Sequence, residues 1–307
     1  MHEPHNRFTR IPLGSGGLAV APLGWGMWRF AGADARSARA RVDVALEIGC
    51  SLFDTADIYG LGTPAGFGGA EALLGEVLRA EPSLRDRMVI ASKAGIRPGV
   101  PYDSSTAYLV EACEASLQRL GIECIDLWQI HRPDLLAHPA EVAAAFERLR
   151  AAGKIREAGV SNYATSQLDA LIACMPFPLA SIQPEFSPLA IEPLSDGILD
   201  GAMRHGLAVL AWSPLGQGRL GGPAGPATGD PRADAVTSAL DAVAARDGVT
   251  RTAVAYAWVM AHPARPIPLI GSQTPARIRE AADAYSVRLS RADWYRILEA
   301  SRGARMP

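Results

Sequence analysis

Eight times in succession this chain follows a short apolar run with a longer amphipathic stretch, and that rhythm constrains its fold more than any other feature. The strand-like runs are residues 23–26, 51–56, 88–93, 125–131, 155–161, 179–184, 207–213 and 267–271. Helical periodicity covers residues 37–48, 70–79, 106–120, 140–152, 166–173, 194–205, the pair 235–246 and 252–261, and 275–284. A last helix over residues 290–300 has Ser290 placed to cap it. Successive strands joined through helices run parallel, because an antiparallel pair needs only a tight turn. The 307 residues suit one α/β chain folded as a (β/α)8 TIM barrel. Neither a linker nor a shift in composition interrupts the series, so residues 1–307 read as one domain.

Two segments fall outside the rhythm. Residues 10–24 carry turn chemistry at Gly14-Ser15-Gly16-Gly17 and read as an N-terminal β-hairpin ahead of the barrel. The same glycines do not match G-x-G-x-x-G, the marker of a doubly wound dinucleotide-binding sheet. Residues 216–233 are rich in Gly and Pro and long for a barrel loop, which suggests a cover over a ligand.

Composition excludes several classes of function. A net charge of -2 gives no footprint for nucleic acid or for an acidic membrane surface. No apolar run is long enough to span a bilayer, and residues 1–10 lack the apolar core of a signal peptide, so a cytoplasmic protein is expected. Cys50, Cys113, Cys124 and Cys174 form no C-x-x-C pair and read as reduced, mostly buried thiols. A metal-dependent barrel hydrolase would need several ligands at strand ends, and of the six histidines only His131 has that position, so no metal is expected. Oligomeric state is not legible.

In a barrel of this kind chemistry gathers at the C-terminal ends of the strands. Reading each run to its end gives Asp54, Lys93, His131, Ser161, Asn162, Gln183, Ser213 and Ser272, with Tyr59 on the loop after Asp54. Taken singly, Asp54 could cap a turn, Lys93 could be an exposed strand end, and His131 could belong to the turn-like Arg132-Pro133; their joint placement on one rim makes the case. A phenol is a poor acid at neutral pH. An ammonium about 4 Å away would favour its phenolate by about 4 kcal/mol at an effective dielectric near 20, enough to bring Tyr59 into working range. Asp54 can hold Lys93, and His131 can donate a hydrogen bond to a substrate oxygen. Such a group suits proton transfer to a carbonyl oxygen while a hydride arrives from elsewhere. No side chain delivers hydride, so a nicotinamide cofactor is implied.

The segments FDTADIYG (53–60), ASK (91–93), QIHRPD (129–134), GVSNY (159–163), AWSPLGQGRL (211–220) and IGSQTPARIRE (270–280) stand in order along nearly the whole chain. In them the chain resembles the aldo-keto reductases, in particular a bacterial branch with a short loop after His131. The resemblance implies Tyr59 as general acid, with Lys93, Asp54 and His131 as its partners, and a small-molecule carbonyl or alcohol as substrate. Ser161, Asn162 and Gln183 would hold the nicotinamide carboxamide, and Trp212 would stack on the ring where the family more often has Tyr or Phe. Gly26, Met27 and Asp54 would line the nicotinamide end. Trp28 would form a wall of the substrate pocket beside Tyr59 and His131, the other reading for Trp28 being an ordinary core aromatic. Ser213, Leu215, Gly216 and Arg219 would follow the pyrophosphate. Ser272 and Arg277 match positions that bind the 2′-phosphate, and Glu280 a position contacting adenine. Gly271 replaces a frequent Lys and Ala281 a frequent Asn. NADP(H) is therefore the expected cofactor, with NAD(H) the second candidate. Some relatives serve chiefly as cofactor-binding subunits of channels, but the four catalytic residues are all present here.

Overall fold

The computed structural model describes residues 9–14, 16–222 and 229–307. Eight parallel strands close into a barrel. In chain order they are β3 (Gly24–Gly26), β4 (Leu52–Asp54), β5 (Val89–Ala94), β6 (Ile125–Ile130), β7 (Ile155–Ser161), β8 (Ser181–Gln183), β9 (Ala208–Ala211) and β10 (Ile267–Ile270), and β10 pairs with both β9 and β3. Closure leaves no barrel strand with an unpaired edge. Parallel running brings all eight C-terminal ends to one rim. The strands are buried on both faces, which explains their nearly continuous apolar sequence.

Ahead of the barrel, β1 (Ile11–Leu13) and β2 (Leu18–Val20) form the expected antiparallel hairpin. It closes the end opposite the functional rim. Ile11, Leu13 and Val20 join Leu52, Ala91, Leu127, Ala180, Leu210 and Leu269 in the apolar filling of the lumen. The turn is tied down by Gly16, whose N–H donates to Glu157 Oε1 at 2.6 Å. Gly14 has φ 76°, and a Cβ there would strike Glu157 and Ala180 at 2.7 Å, so only glycine lets the hairpin seat this closely.

Around the barrel lie α1 (Ala35–Glu47), α2 (Gly69–Ala80), α3 (Thr106–Leu120), α4 (Pro139–Ala151), α5 (Thr165–Cys174), α6 (Ile198–His205), α7 (Pro231–Asp247), α8 (Arg251–Met260), α9 (Pro275–Glu280) and α10 (Arg291–Arg302). Their ends follow local chemistry. The Ser105 hydroxyl accepts from Tyr108 N–H at the start of α3, and Gly121 ends that helix in the left-handed region. Ser290 caps α10 as expected, in a reciprocal arrangement with Asp293.

Several boundaries differ from the sequence reading, three of them for a plain local reason. The sixth helix starts at Ile198 rather than 194, because Glu192–Leu194 forms a tight 3-10 turn and Gly197 adopts φ 84° before the helix begins. The ninth ends at Glu280, where the backbone tightens into a 3-10 turn over Ala281–Ser286. The Gly/Pro-rich segment is shorter than 216–233, since Asp230 caps α7 and helix follows from Pro231. Residues 223–228 of that segment lie outside the described residues. Cys50 and Cys113 are buried, Cys124 is half-buried and Cys174 exposed; all four are free thiols, so burial covers fewer of them than expected. Among the described residues, no helix is long and apolar enough to cross a membrane.

Candidate functional site

Asp54 ends β4, Lys93 projects from β5, and both are buried at the rim. Lys93 Nζ donates to Asp54 Oδ2 at 2.5 Å, to the Thr55 carbonyl at 2.8 Å and to the Tyr59 hydroxyl at 3.4 Å. The loop after β4 delivers Tyr59 because it stays fastened to β5: Thr55 N–H bonds Ala91 O and Asp57 N–H bonds Lys93 O. The His131 ring stands edge-on to Tyr59 with centroids 5.7 Å apart. All four residues expected to act together therefore meet at one point. The Tyr59 oxygen accepts from Lys93, and its own proton goes to no protein group among the described residues.

Electrostatics fix the protonation of Tyr59, Lys93 and His131. Burial raises the Tyr59 pKa, the Lys93 ammonium lowers it, and the net effect is a rise. This corrects the expectation that Lys93 brings the phenol below its ordinary range: desolvation outweighs the cation, and Tyr59 rests as a neutral phenol. Burial acts to lower the Lys93 pKa, but Asp54 and Tyr59 more than offset it and the ammonium is retained. Burial, then Lys93 and Arg132, push His131 well below its ordinary value, so its imidazole is neutral. Its Nδ1 is buried and has no hydrogen-bond partner among the described residues.

A second network continues round the rim. Asp54 Oδ1 accepts from Gln183 Nε2 at 2.9 Å and from Gln129 Nε2 at 3.3 Å. Ser161 Oγ donates to the Gln183 carbonyl at 2.8 Å. Asn162 Nδ2 donates to the His131 carbonyl at 3.0 Å and to Ser161 Oγ at 2.9 Å. The Trp212 indole N–H donates to Asn162 Oδ1 at 3.0 Å. Asn162 itself has φ 60°, a left-handed backbone that Asn tolerates better than most residues. Sequence reading missed Gln129 as a site residue. Its signal was weak: a polar residue inside a mainly apolar strand, β6, that also carries Asp126.

Comparison with known proteins agrees with this geometry. The model of the Aldo/keto reductase family matches residues 22–302. The chain belongs to the aldo/keto reductase family. It is 54% identical to the 6-dehydroglucose reductase of Novosphingobium aromaticivorans, over 96% of either chain. It is 36% identical to the 6-dehydroglucose reductase of Agrobacterium fabrum, over 94% of this chain and 96% of that one. The glycerol dehydrogenase of Gluconobacter oxydans superposes with a TM-score of 0.84 at 27% identity, covering 98% of this chain and 97% of its own. The protein is an oxidoreductase acting on carbonyl or alcohol groups.

The rest of this aldo/keto reductase's rim is more open. Met27 is buried, with its N–H on the Asp54 carbonyl, and the Gly26 carbonyl accepts from Gln273. Trp28 is 64% exposed, with the Arg29 guanidinium 5.4 Å above its ring, which overturns the core-aromatic reading. After β9 the chain turns sharply through Ser213 (φ 50°) and Gly216 (φ 54°). A Cβ at Gly216 would meet Leu189 at 2.9 Å. Leu215 packs on the core, while Arg219 is held by the Gly216 carbonyl and Asp230. Past β10, the Ser272 hydroxyl accepts from Thr274 N–H. Arg277 is exposed and has no ion pair among the described residues, unlike Arg279, which pairs with Glu47; Glu280 is half-buried. Gly271 has open space beside it, so nothing replaces the missing Lys. Among the described residues, no group of three or more His, Cys, Asp or Glu side chains is placed to hold a metal ion.

Behind the site lies a buried acidic group that sequence reading did not single out. Both Asp57 carboxyl oxygens are buried and, among the described residues, accept no well-formed hydrogen bond, the nearby Ile58 N–H making only a weak contact. Nearby Glu71 is buried, bonded by Ser92 Oγ and by Arg119 Nε at 2.7 Å. Burial first, then Glu71, hold the Asp57 carboxyl well above the ordinary range.

Proposed function

We propose that this protein is an NADP(H)-dependent reductase of aldehydes, with Tyr59 as its general acid and a hexose bearing an aldehyde at C6 as its substrate. The observation that carries the reading is the Lys93–Tyr59 contact. Tyr59 accepts a hydrogen bond from a buried ammonium and keeps its own proton free, the state a general acid needs before it meets a carbonyl oxygen. As that proton leaves, Lys93 balances the charge left on the phenolate. Asp54 holds the ammonium in line, and Gln183 and Gln129 hold Asp54. The neutral His131 edge beside Tyr59 orients the carbonyl oxygen. In the reverse direction the same Tyr59 accepts the alcohol proton.

The residues fit a nicotinamide dinucleotide. Ser161, Asn162 and Gln183 meet in one hydrogen-bonded group next to Asp54, and Gln183 Oε1 accepts from none of the described residues. Trp212 borders that group, Ser213–Arg219 follow, and Ser272 and the uncommitted Arg277 stand past β10. Bound there, the nicotinamide supplies the hydride. Arg277 and Ser272 support NADP(H) over NAD(H) through a charge-assisted contact to a 2′-phosphate. The sugar aldehyde is supported by 54% identity to a protein named for that activity, and by the exposed Trp28 face, an apolar plate suited to a sugar ring.

The test is a matrix of NADPH and NADH against 6-dehydroglucose, glyceraldehyde and an apolar aldehyde. Highest kcat/KM for NADPH with 6-dehydroglucose is expected. A clear preference for the apolar aldehyde would remove the sugar assignment, and no turnover with any aldehyde would remove the reductase assignment.

A further inference from the structure

Which groups around Asn162 still have a proton to give is settled by counting. An asparagine amide has two donor hydrogens and two acceptor lone pairs. Both Nδ2 hydrogens of Asn162 are committed, one to the His131 carbonyl and one to Ser161 Oγ. One Oδ1 lone pair takes the Trp212 indole N–H. The opposite amide orientation would set Nδ2 against the indole N–H and Oδ1 against the His131 carbonyl, donor facing donor and acceptor facing acceptor. The indole therefore decides the orientation. Ser161 Oγ donates to the Gln183 carbonyl, but that carbonyl also accepts the Asn162 N–H at 3.1 Å, so the hydroxyl can turn away without stranding it. Gln183 Nε2 gives its two to Asp54 Oδ1 and, at 3.4 Å, to Gln129 Oε1. The two amides thus have no proton left, and of the three side chains only the Ser161 hydroxyl can still turn to donate. Both amides offer open acceptors: the second lone pair of Asn162 Oδ1 and the whole of Gln183 Oε1.

We propose that Trp212 is a positioning residue whose indole N–H locks the Asn162 amide, and that Asn162 and Gln183 consequently meet a ligand as acceptors, so that a bound nicotinamide presents its carboxamide NH2 to these two amides. This rests on the reading that a nicotinamide dinucleotide binds at this rim. A ring without an N–H, such as the Tyr or Phe expected from the resemblance, would leave the Asn162 amide free to turn and donate. Trp212 can hold its place because its backbone is tied to the neighbouring strand end: its N–H bonds the Pro184 carbonyl, and its carbonyl accepts from Phe186 N–H. The lock also reaches the catalytic group, since the Asn162 amide it orients holds the His131 backbone carbonyl.

The probe is the 3-acetylpyridine analogue of NADP, which keeps the carbonyl oxygen and replaces the NH2 with a methyl group. Dissociation constants for it and for NADP are measured by titration calorimetry, with no turnover involved, on wild type, Trp212→Phe and Trp212→Tyr. Wild type should bind the analogue at least about tenfold more weakly, because buried acceptors are left without a donor. In both variants the ratio should fall to within about threefold, as the freed amide turns to meet the acetyl oxygen. Loss of ring stacking alone would weaken both ligands and leave their ratio unchanged. Equal binding of the two by wild type overturns the acceptor role of the two amides, and needs no variant to be folded. An unchanged ratio in folded Trp212→Phe overturns the role of the indole. If wild type binds neither dinucleotide, the cofactor reading itself is wrong and this inference falls with it, an outcome distinct from the other two.

Discussion

Replacing Lys93 with Met separates two things its ammonium does. Nζ lies 3.4 Å from the Tyr59 oxygen and 2.5 Å from Asp54 Oδ2. A unit charge at the first distance favours a phenolate by about 5 kcal/mol at an effective dielectric near 20. Part of that support returns through water entering the space, so we expect kcat for carbonyl reduction to fall about 10²- to 10⁴-fold. The pH profile should move in a defined direction. Burial already holds the Tyr59 pKa above its ordinary value with Lys93 pulling it back, so removing Lys93 raises it further. Tyr59 reduces as the protonated acid, so the alkaline limb of reduction should move up. Alcohol oxidation needs the phenolate and should demand a higher pH than in wild type.

The second effect of Lys93→Met is on stability. Breaking a buried ion pair costs about 3–5 kcal/mol, lessened here because Gln183 and Gln129 still donate to Asp54. Adding Asp54→Asn removes the stranded carboxylate, so Tm should recover while the rate does not. The assay is kcat/KM in both directions across the neutral and alkaline range, with thermal melts of both variants. Wild-type rates with an unmoved pH profile would refute the coupling of Lys93 to the chemistry, and recovery of rate together with Tm would make its role purely structural.

Asp57→Asn should stabilise the protein by an amount that depends on pH. The folded carboxyl has a raised pKa, so its stability contribution is whole below the unfolded value near pH 4 and is lost as pH rises toward the folded value; the gain in Tm should therefore grow from mildly acid to neutral pH, and an equal gain at both would refute the buried, protonated carboxyl. Arg277→Ala should weaken NADPH by about 10- to 150-fold, the range of a charged hydrogen bond, and leave NADH nearly untouched; equal weakening of both in a binding titration would show that Arg277 does not read the 2′-phosphate.

Much of the fold was legible because each barrel strand is buried on both faces and reads as an apolar run, and because helices such as α3 carry their own start and stop at Ser105 and Gly121. The strand at residues 51–56 was read too long for a physical reason. Past Asp54 the chain keeps bonding to β5 through Thr55 and Asp57 N–H while leaving the ladder, and no sequence pattern marks that departure. The start of the sixth helix was lost to Pro193 and Gly197, whose combined effect depends on backbone angles. In the site, Asp54, Tyr59, Lys93 and His131 were readable from their places at strand ends. The rise in the Tyr59 pKa was not, since desolvation depends on what packs around the ring. Nor was the Trp212–Asn162 bond, which joins residues 50 apart in sequence at the ends of β7 and β9, on either side of β8. Asp57 stayed hidden because a lone Asp in a loop gives no sign that it is buried.

The account stands or falls on the proton that Tyr59 keeps free. Its most direct test is a single turnover: enzyme loaded with NADPH is mixed with excess 6-dehydroglucose in a stopped-flow instrument, and loss of the reduced-nicotinamide absorbance is followed for wild type and Tyr59→Phe. The phenylalanine variant keeps the ring and lacks only the hydroxyl, so it should bind NADPH as tightly as wild type and transfer hydride at least about 100-fold more slowly. Hydride transfer at the wild-type rate in that variant would contradict the account.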